Sequence, residues 1–200
     1  MRSSHIHWGA LSDLVDAHNE VFADWRPEGN YVPGEGAVER CRVMVVGDKP
    51  SAVDRVKRRP FMGKGGRVLR QLMVTAGLSS DDTWITHLVK FKPDRHDTAL
   101  SWEEVKLARP LLQSEHDAVG RPPVIVTTAR NPLCAVLGTP SATAWVSPGA
   151  PVPLRSREDG SRVWLFPMLD PENALYNPAI RGAIESHWES LGEWLRANNP

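Results

Sequence analysis

Short apolar runs alternate along the chain with longer segments whose apolar residues recur at helical spacing. The runs predict buried strands of a parallel sheet, because a strand that is covered on both faces needs no polar alternation. The predicted strands are 43–46, 84–91, 124–126 and 162–169. The predicted helices are 11–25, 65–77, 101–119, 131–138 and a final one from 177 onward. Alternating strands and helices predict an α/β protein, a three-layer α/β/α structure with a mostly parallel, four-stranded central sheet.

Several local signals mark where these helices begin and end. Ser101 and Glu104 have the spacing of a capping box, and Pro110 should kink or break the helix that follows them. Asn131 and Asn177 each precede a proline, which predicts an N-cap followed by the first helical turn.

The composition is that of an ordinary globular protein, with 41% hydrophobic and 24% charged residues and a formal net charge of zero. We expect one domain over residues 1–200, with a helix and loop over 1–41 and a core over 42–197. The start of the chain is polar and no apolar run is long enough to span a membrane, so we expect a cytoplasmic monomer with no membrane partner. Only two cysteines are present, so we expect buried thiols, no metal and no cofactor.

Charge is concentrated between residues 40 and 70. This stretch contains ten Arg or Lys residues and only two acids, Asp48 and Asp54. Such a patch can neutralise the phosphates of a nucleic acid even when the whole protein is neutral. The alternative is a solvated face without a partner.

In a parallel α/β sheet, ligands bind beyond the carboxyl ends of the strands. The first strand is followed by a turn in which Gly47 permits a sharp bend and Pro50 stiffens the loop. Asp48 should therefore face the crevice, although it could simply cap the turn. Phe61 precedes a glycine-rich helix start, where its ring could stack on a planar ligand or serve as a hydrophobic plug. The glycines lack the spacing of a phosphate-binding P-loop.

Six motifs follow one another in a recognisable order. They are GDKPS (47–51), PFMGKGG (60–66), ITHLVKFKP (85–93), PVIVTTA (123–129), PLCAVLG (132–138) and MLDPENALYNP (168–178). Together they resemble the family 4-like branch of the uracil-DNA glycosylase superfamily, which has G-E-x-P-G, P-F-x-G-x-x-G, I-T-N-x-V-K-x-x-P and H-P-x-x-L-x-x-N-P in this order. The resemblance covers residues 42 to about 195 and implies base excision from DNA.

The chain departs from this family pattern at informative positions. The resemblance implies that Asp48 retains the family's acidic residue and that Phe61 retains its stacking ring. Ser51 replaces a glycine, His87 replaces the Asn that reads the uracil edge, and Asp170 replaces the His that stabilises the departing base. The four cysteines that hold an iron–sulfur cluster in family 4 are absent, so no cluster is implied here.

These replacements change the expected chemistry. Cleavage of an N-glycosidic bond builds positive charge on the sugar, which Asp48 could stabilise, and negative charge on the base, which an ionised Asp170 would oppose. Asp170 helps only if it is protonated or if the leaving base is not plain uracil. His87 can donate or accept a hydrogen bond, unlike an Asn amide that does both. Alternatively, His87 is a buried strand histidine bonded to backbone, and Asp170 is an N-cap before Pro171.

We therefore expect a glycosylase that acts on a flipped, modified pyrimidine in DNA. The predicted catalytic residues are Asp48, His87 and Asp170. The predicted base-binding residues are Gly47, Pro50, Phe61 and His87. The predicted DNA-binding residues are Lys49, Lys57, Arg58, Arg59, Lys64, Lys90, Lys92 and Asn173. The alternatives are a base-modifying transferase on the same fold and a non-catalytic binding module. If Asp48, His87 and Asp170 face one pocket, an enzyme is favoured.

Overall fold

A six-stranded sheet with four parallel strands at its centre organises the protein. The computed structural model describes residues 8–23, 31–38, 40–91, 99–144, 146–154 and 162–200. The strands are β1 Glu35–Gly36, β2 Val43–Gly47, β3 Thr83–His87, β4 Val124–Thr127, β5 Val152–Pro153 and β6 Trp164–Pro167. Their order is β1-β3-β2-β4-β6-β5. The four central strands are parallel, as predicted, and two-residue antiparallel strands, which the sequence analysis missed, line both edges.

Helices cover both faces of this sheet. They are α1 Trp8–Val21, α2 Ala52–Lys57, α3 Lys64–Thr75, α4 Trp102–Ala118, α5 Arg130–Leu137, α6 Asn173–Tyr176 and α7 Pro178–Asn198. Alternate residues of β2 point to opposite sides, so Met44 packs against α4 and α5 while Val45 packs against α3 and α7. Both faces of β2 are therefore covered by apolar side chains, which explains why its residues form one continuous apolar run. Within the described residues, no helix is long and apolar enough to cross a membrane.

Three local predictions are corrected by the structure. β3 ends at His87 rather than at residue 91. The Leu88 amide still makes the ladder bond to the carbonyl of Gly47 at 2.8 Å, but the next amide, that of Val89, donates to the carbonyl of Asp48 at 3.2 Å, which breaks the alternation of a parallel ladder. Helix α4 continues through Pro110, which lies on its exposed face, where water can satisfy the carbonyl that the proline leaves without an amide donor. Helix α5 is capped by Ala129, so Asn131 is a residue of its first turn and not its N-cap.

The other start and stop signals hold. The side chain of Ser101 accepts from the amide of Glu104, whose carboxylate accepts from the Ser101 amide, which completes the predicted capping box. Asn177 caps α7 and is followed by a proline in the first turn, while Gly138 ends α5 in the left-handed conformation.

Candidate active site

A cavity of about 130 Å³ lies beyond the carboxyl ends of the central parallel strands. Four residues singled out in the sequence, Asp48, Phe61, His87 and Asp170, all line it. Gly47 and His87, which end β2 and β3, are register partners and form adjoining parts of its wall. The remaining lining residues come from the end of β2, the loops after β2 and β4, helix α2, the start of α3 and the turn before α6. They are Gly47, Lys49, Ser51, Asp54, Gly63, Gly65, Gly66, Thr128, Ala129, Pro171 and Glu172.

Two aromatic rings meet over Gly47. The planes of the Phe61 and His87 rings are tilted by 30° to each other, with their centroids 4.4 Å apart. A Cβ atom on Gly47 would lie 2.4 Å from Cζ of Phe61 and 2.7 Å from Nδ1 of His87. Glycine is therefore required here so that the two rings can close around the end of β2.

The loop that carries Phe61 is held against the start of α3. Phe61 has a φ of +55°, an uncommon conformation for a residue with a side chain. Its carbonyl oxygen lies only 1.7 Å from where a Cβ of Gly66 would be, and a Cβ of Gly65 would lie 3.0 Å from Cβ of Glu172. The glycine-rich start of α3 thus allows both the Phe61 loop and the 170–172 turn to approach closely.

Asp48 is held by two donors. Nδ2 of Asn131 donates to Oδ1 at 2.9 Å, and Nζ of Lys49 donates to Oδ2 at 3.0 Å. The backbone carbonyl of Asp48 also accepts from the amide of Val89. Asn131 is a site residue that sequence reasoning assigned to a different task, because nothing local indicates that its amide reaches the loop after β2.

Asp170 both lines the cavity and closes its own turn. Its Oδ1 accepts a hydrogen bond from the amide of Glu172 at 2.8 Å. Although the residue as a whole is solvent-exposed, protein atoms around its carboxyl raise its pKa above the usual range, and the charges of Glu172 and Asp48 add to this effect. The N-cap of α6 is Glu172, so the alternative in which Asp170 caps that helix is not what the structure shows; Asp170 instead closes the turn before it and also lines the cavity.

Asp54 joins three of the motif segments and was not singled out from the sequence. It is 2% exposed, and its carboxylate accepts from the amides of Ser51 at 2.8 Å and Met62 at 2.6 Å. Its Oδ2 lies 3.4 Å from Nε2 of His87. Burial opposes ionisation of Asp54, but these contacts outweigh it and hold the pKa at about 2. The signal available in the sequence was the capping-box spacing of Ser51 and Asp54.

The alternative to a base-reading role was that His87 is a buried strand histidine whose ring is hydrogen-bonded to the backbone. His87 is indeed buried, but its ring is not bonded to the backbone. The residue is 4% exposed, and neither ring nitrogen makes a hydrogen bond of normal geometry to the described residues. Burial lowers the pKa of His87, and the nearby Asp54 carboxylate only partly offsets this effect. A neutral imidazole beside an ionised carboxylate is therefore the expected state at neutral pH.

Lys90 is buried in the core and is not available at the surface for the DNA contact that the sequence analysis predicts. It is 1% exposed, and its Nζ donates to Oε2 of Glu115 at 2.6 Å, to the carbonyl of His87 at 2.8 Å and to Oγ1 of Thr86. Burial lowers the pKa of its ammonium, which Glu115 opposes. The residue follows β3 in sequence, but the turn after His87 directs it into the core.

The other predicted DNA contacts differ in their surroundings. Lys57, Arg58, Lys64 and Asn173 are exposed, whereas Lys49 is engaged with Asp48. Arg59 donates to both carboxylate oxygens of Glu35, which also accepts from Arg70. Lys92 lies outside the described residues. Pro50, which was predicted to bind the base, is buried and does not line the cavity formed by the described residues.

A larger cavity, of about 850 Å³, lies elsewhere between α4, α5 and the edge strand β5. Its lining is mainly aliphatic and includes Leu112, Val136 and Val163, with Arg109 and His116 as polar members. It contains none of the carboxylates discussed above. We assign the chemistry to the smaller cavity because it lies at the strand ends and is lined by the carboxylates and by His87.

The residues present do not fit the iron–sulfur cluster of family 4. Such clusters need four cysteine thiolates, and the chain has only two cysteines. Cys41 is buried before β2 and Cys134 is buried on α5. Burial raises the pKa of the Cys41 thiol to about 12, which disfavours a thiolate. Within the described residues, no group of three or more His, Cys, Asp or Glu side chains is arranged to hold a metal ion.

Comparison with known proteins agrees with this architecture. Residues 33–192 match the family model of the uracil DNA glycosylase superfamily. The chain is similar to the type-4 uracil-DNA glycosylases of Saccharolobus solfataricus (27% identity, covering 86% of this chain and 79% of the relative) and Sulfurisphaera tokodaii (28%, covering 84% and 76%). That of Archaeoglobus fulgidus is 27% identical, covering 86% and 85%. By fold, motif order and family match, the chain belongs to the uracil DNA glycosylase superfamily.

Proposed function

We propose that this protein is a DNA glycosylase that hydrolyses the N-glycosidic bond of a flipped, modified pyrimidine. The observation that carries the proposal is the convergence of Asp48, Phe61, His87 and Asp170 on one cavity at the strand ends. Its volume of about 130 Å³ is close to that of an engineered cavity which accepts benzene, so it suits one six-membered ring. Membership of the superfamily and the similarity to type-4 uracil-DNA glycosylases support DNA as the substrate.

Each group has a task that its surroundings support. The base would lie against Phe61, in the cavity that His87 also lines. Asp48, held between Asn131 and Lys49, would stabilise the positive charge on the sugar and orient the water that adds to C1′. The surroundings of Asp170 raise its pKa, and in its protonated form the carboxyl would donate its proton to the departing base. Hydrolysis then leaves an abasic sugar and the free base.

The replacement of the family's His by Asp170 motivates a base other than plain uracil. A protonated carboxyl can donate, but an ionised one repels the negative charge that builds on a uracil anion. We therefore expect slow release of uracil and faster release of a modified pyrimidine. The change Asp170→His, with or without His87→Asn, should raise activity on uracil because it restores the residues that the family pattern has at these positions.

The test is an excision assay on oligonucleotides that carry uracil or modified pyrimidines, single-stranded and in duplex. The change Asp48→Asn should abolish release of every base that the wild type removes while leaving DNA affinity within about twofold, since Asn keeps the shape and loses the charge. Asp13→Asn, at an exposed position on α1, is the control and should behave as wild type. Full activity of Asp48→Asn on a proven substrate would contradict the assignment.

A further inference from the structure

The carboxylate of Asp48 is bound by a residue far away in sequence. Nδ2 of Asn131 lies 2.9 Å from Oδ1 of Asp48, although 83 residues separate the two. They meet because β2 and β4 are neighbouring parallel strands whose ends are in register at Val46 and Thr127. Asp48 follows the first strand, and Asn131 lies in the first turn of the helix after the second.

The sequence around Asn131 gives up local helix stability for this contact. Helix α5 begins after Ala129, which makes no side-chain capping hydrogen bond. Asparagine is among the best N-cap residues and a weak helix former inside a helix, so it would stabilise α5 better as the cap. Its amide is instead engaged with Asp48. A departure from a local rule that benefits a pocket residue is typical of a functional site.

We propose that Asn131 is a positioning residue that holds the Asp48 carboxylate in its reactive orientation. This inference rests on the proposed function, because it concerns the task of Asp48 at the sugar. An amide donor orients the carboxylate without cancelling its charge, whereas the Lys49 ammonium partly neutralises it and sits on a flexible stem. A carboxylate has about four lone-pair sites. The two donors occupy one on each oxygen and leave the others for the cavity.

The first test removes the donor while keeping a similar side-chain volume. The change Asn131→Leu should lower kcat about tenfold to hundredfold, as expected for removal of a hydrogen bond to a charged group. KM and DNA affinity should stay within about twofold, because Asn131 acts only through Asp48. Asn198→Ala is the matched control, since it removes a bond from an Asn amide to the carbonyl of Trp194, at 2.8 Å, on α7. That variant should keep the wild-type kcat.

The second test reverses the character of the group at the same position. The change Asn131→Asp keeps the shape but places a carboxylate against Asp48. We expect a larger loss of kcat at neutral pH and a recovery as the pH is lowered, because the introduced carboxyl becomes a donor once it is protonated. Asn131→Leu should show no such recovery. If Asn131→Leu does not fold, as judged by circular dichroism, the pH profile of Asn131→Asp carries the test.

Two kinds of failure can be separated. The positioning role is overturned if Asn131→Leu retains the wild-type kcat, or if both variants lose activity equally at every pH. If the wild type releases no base from any oligonucleotide, the proposed function fails instead. A double-mutant cycle in urea unfolding, with Asp48→Ala and Asn131→Leu, then tests the contact independently of activity. Coupling between the two changes supports the contact, and simple additivity overturns it.

Discussion

Two glycines on the helices should respond in opposite ways to the same added methyl group. Gly66 lies in the first turn of α3, and a Cβ there would be 1.7 Å from the carbonyl oxygen and 2.2 Å from the carbonyl carbon of Phe61. Gly182 lies in α7, and a Cβ there would meet nothing within 4 Å. The changes Gly66→Ala and Gly182→Ala therefore form a matched pair.

The magnitudes follow from this geometry. Both changes gain about 1 kcal/mol of helix propensity. Because real Cβ atoms stay at least 3.0 Å from other atoms, the alanine at Gly66 must push the Phe61 backbone away by about 1.3 Å, the difference between 3.0 and 1.7 Å. Overpacking of this kind costs about 1–3 kcal/mol. The shift also strains the bond from the Met62 amide to Asp54, which is worth about 1.5–3 kcal/mol as a bond to a charged group.

We therefore expect Gly66→Ala to lower the free energy of unfolding by about 2–4 kcal/mol and Gly182→Ala to raise it by up to about 1 kcal/mol. Urea unfolding followed by tryptophan fluorescence measures both, and Tm should move by about 2–4 °C per kcal/mol. Gly66→Ala should also reduce base excision, since Phe61 moves, whereas Gly182→Ala should not. The reasoning is refuted if Gly66→Ala is as stable as the wild type, or if both variants lose stability equally.

Three further outcomes are expected. Lys90→Met should cost about 3–5 kcal/mol because it leaves Glu115 buried without its cation. The double change Lys90→Met with Glu115→Leu should recover only part of this loss in urea unfolding, because Trp84 and Thr86 then lose the acceptor that they share on Glu115; equal stability of the single and double variants would contradict this prediction. The pKa of Asp54 is about 2 in the folded protein, against the ordinary 3.8, so its ionised carboxylate contributes about 2 kcal/mol to the free energy of unfolding above pH 4, and this contribution is lost as the pH falls towards 2. In the variant Asp54→Asn, the urea midpoint of unfolding should therefore depend less on pH across that range. An unchanged pH dependence would refute the assignment. Charge reversal of three neighbouring basic residues should weaken binding to any DNA sequence. It should also reduce the slope of log K against log salt concentration by about one for each phosphate that is no longer bound. Unchanged affinity and an unchanged slope would contradict the assignment of these residues to DNA binding. The three residues are Lys57, Arg58 and Arg59.

Charge counted along the chain differs from charge counted in space. The stretch 40–70 contains ten basic residues and two acids, yet Arg59 and Arg70 both bind Glu35 from the edge strand β1. Lys49 is engaged with Asp48, which belongs to the same stretch. We therefore expect Lys57 and Arg58, which are exposed, to account for most of the effect of the triple reversal.

The sequence by itself determined the four central strands, their parallel arrangement and the pocket at their ends. Burial on both faces produces apolar runs such as 43–46, and helical periodicity is equally local. Asp48, Phe61, His87 and Asp170 could be placed together because each lies in or next to a motif at a strand end, and strand ends of a parallel sheet converge.

Only the tertiary structure decided which polar groups pair across large distances in sequence. Asn131 was expected to cap a helix, but its side-chain amide instead donates to the carboxylate of Asp48, which follows the neighbouring strand β2. Lys90 was expected at the surface, but the turn after His87 carried it inward to Glu115, 25 residues away. The spacing of Ser51 and Asp54 could have indicated their contact, but the contacts of Asp54 with Met62 and His87 depend on the path of the chain in space. Hydrogen bonds between distant residues depend on atomic positions in space, and those positions are set by strand order and loop path rather than by local pattern.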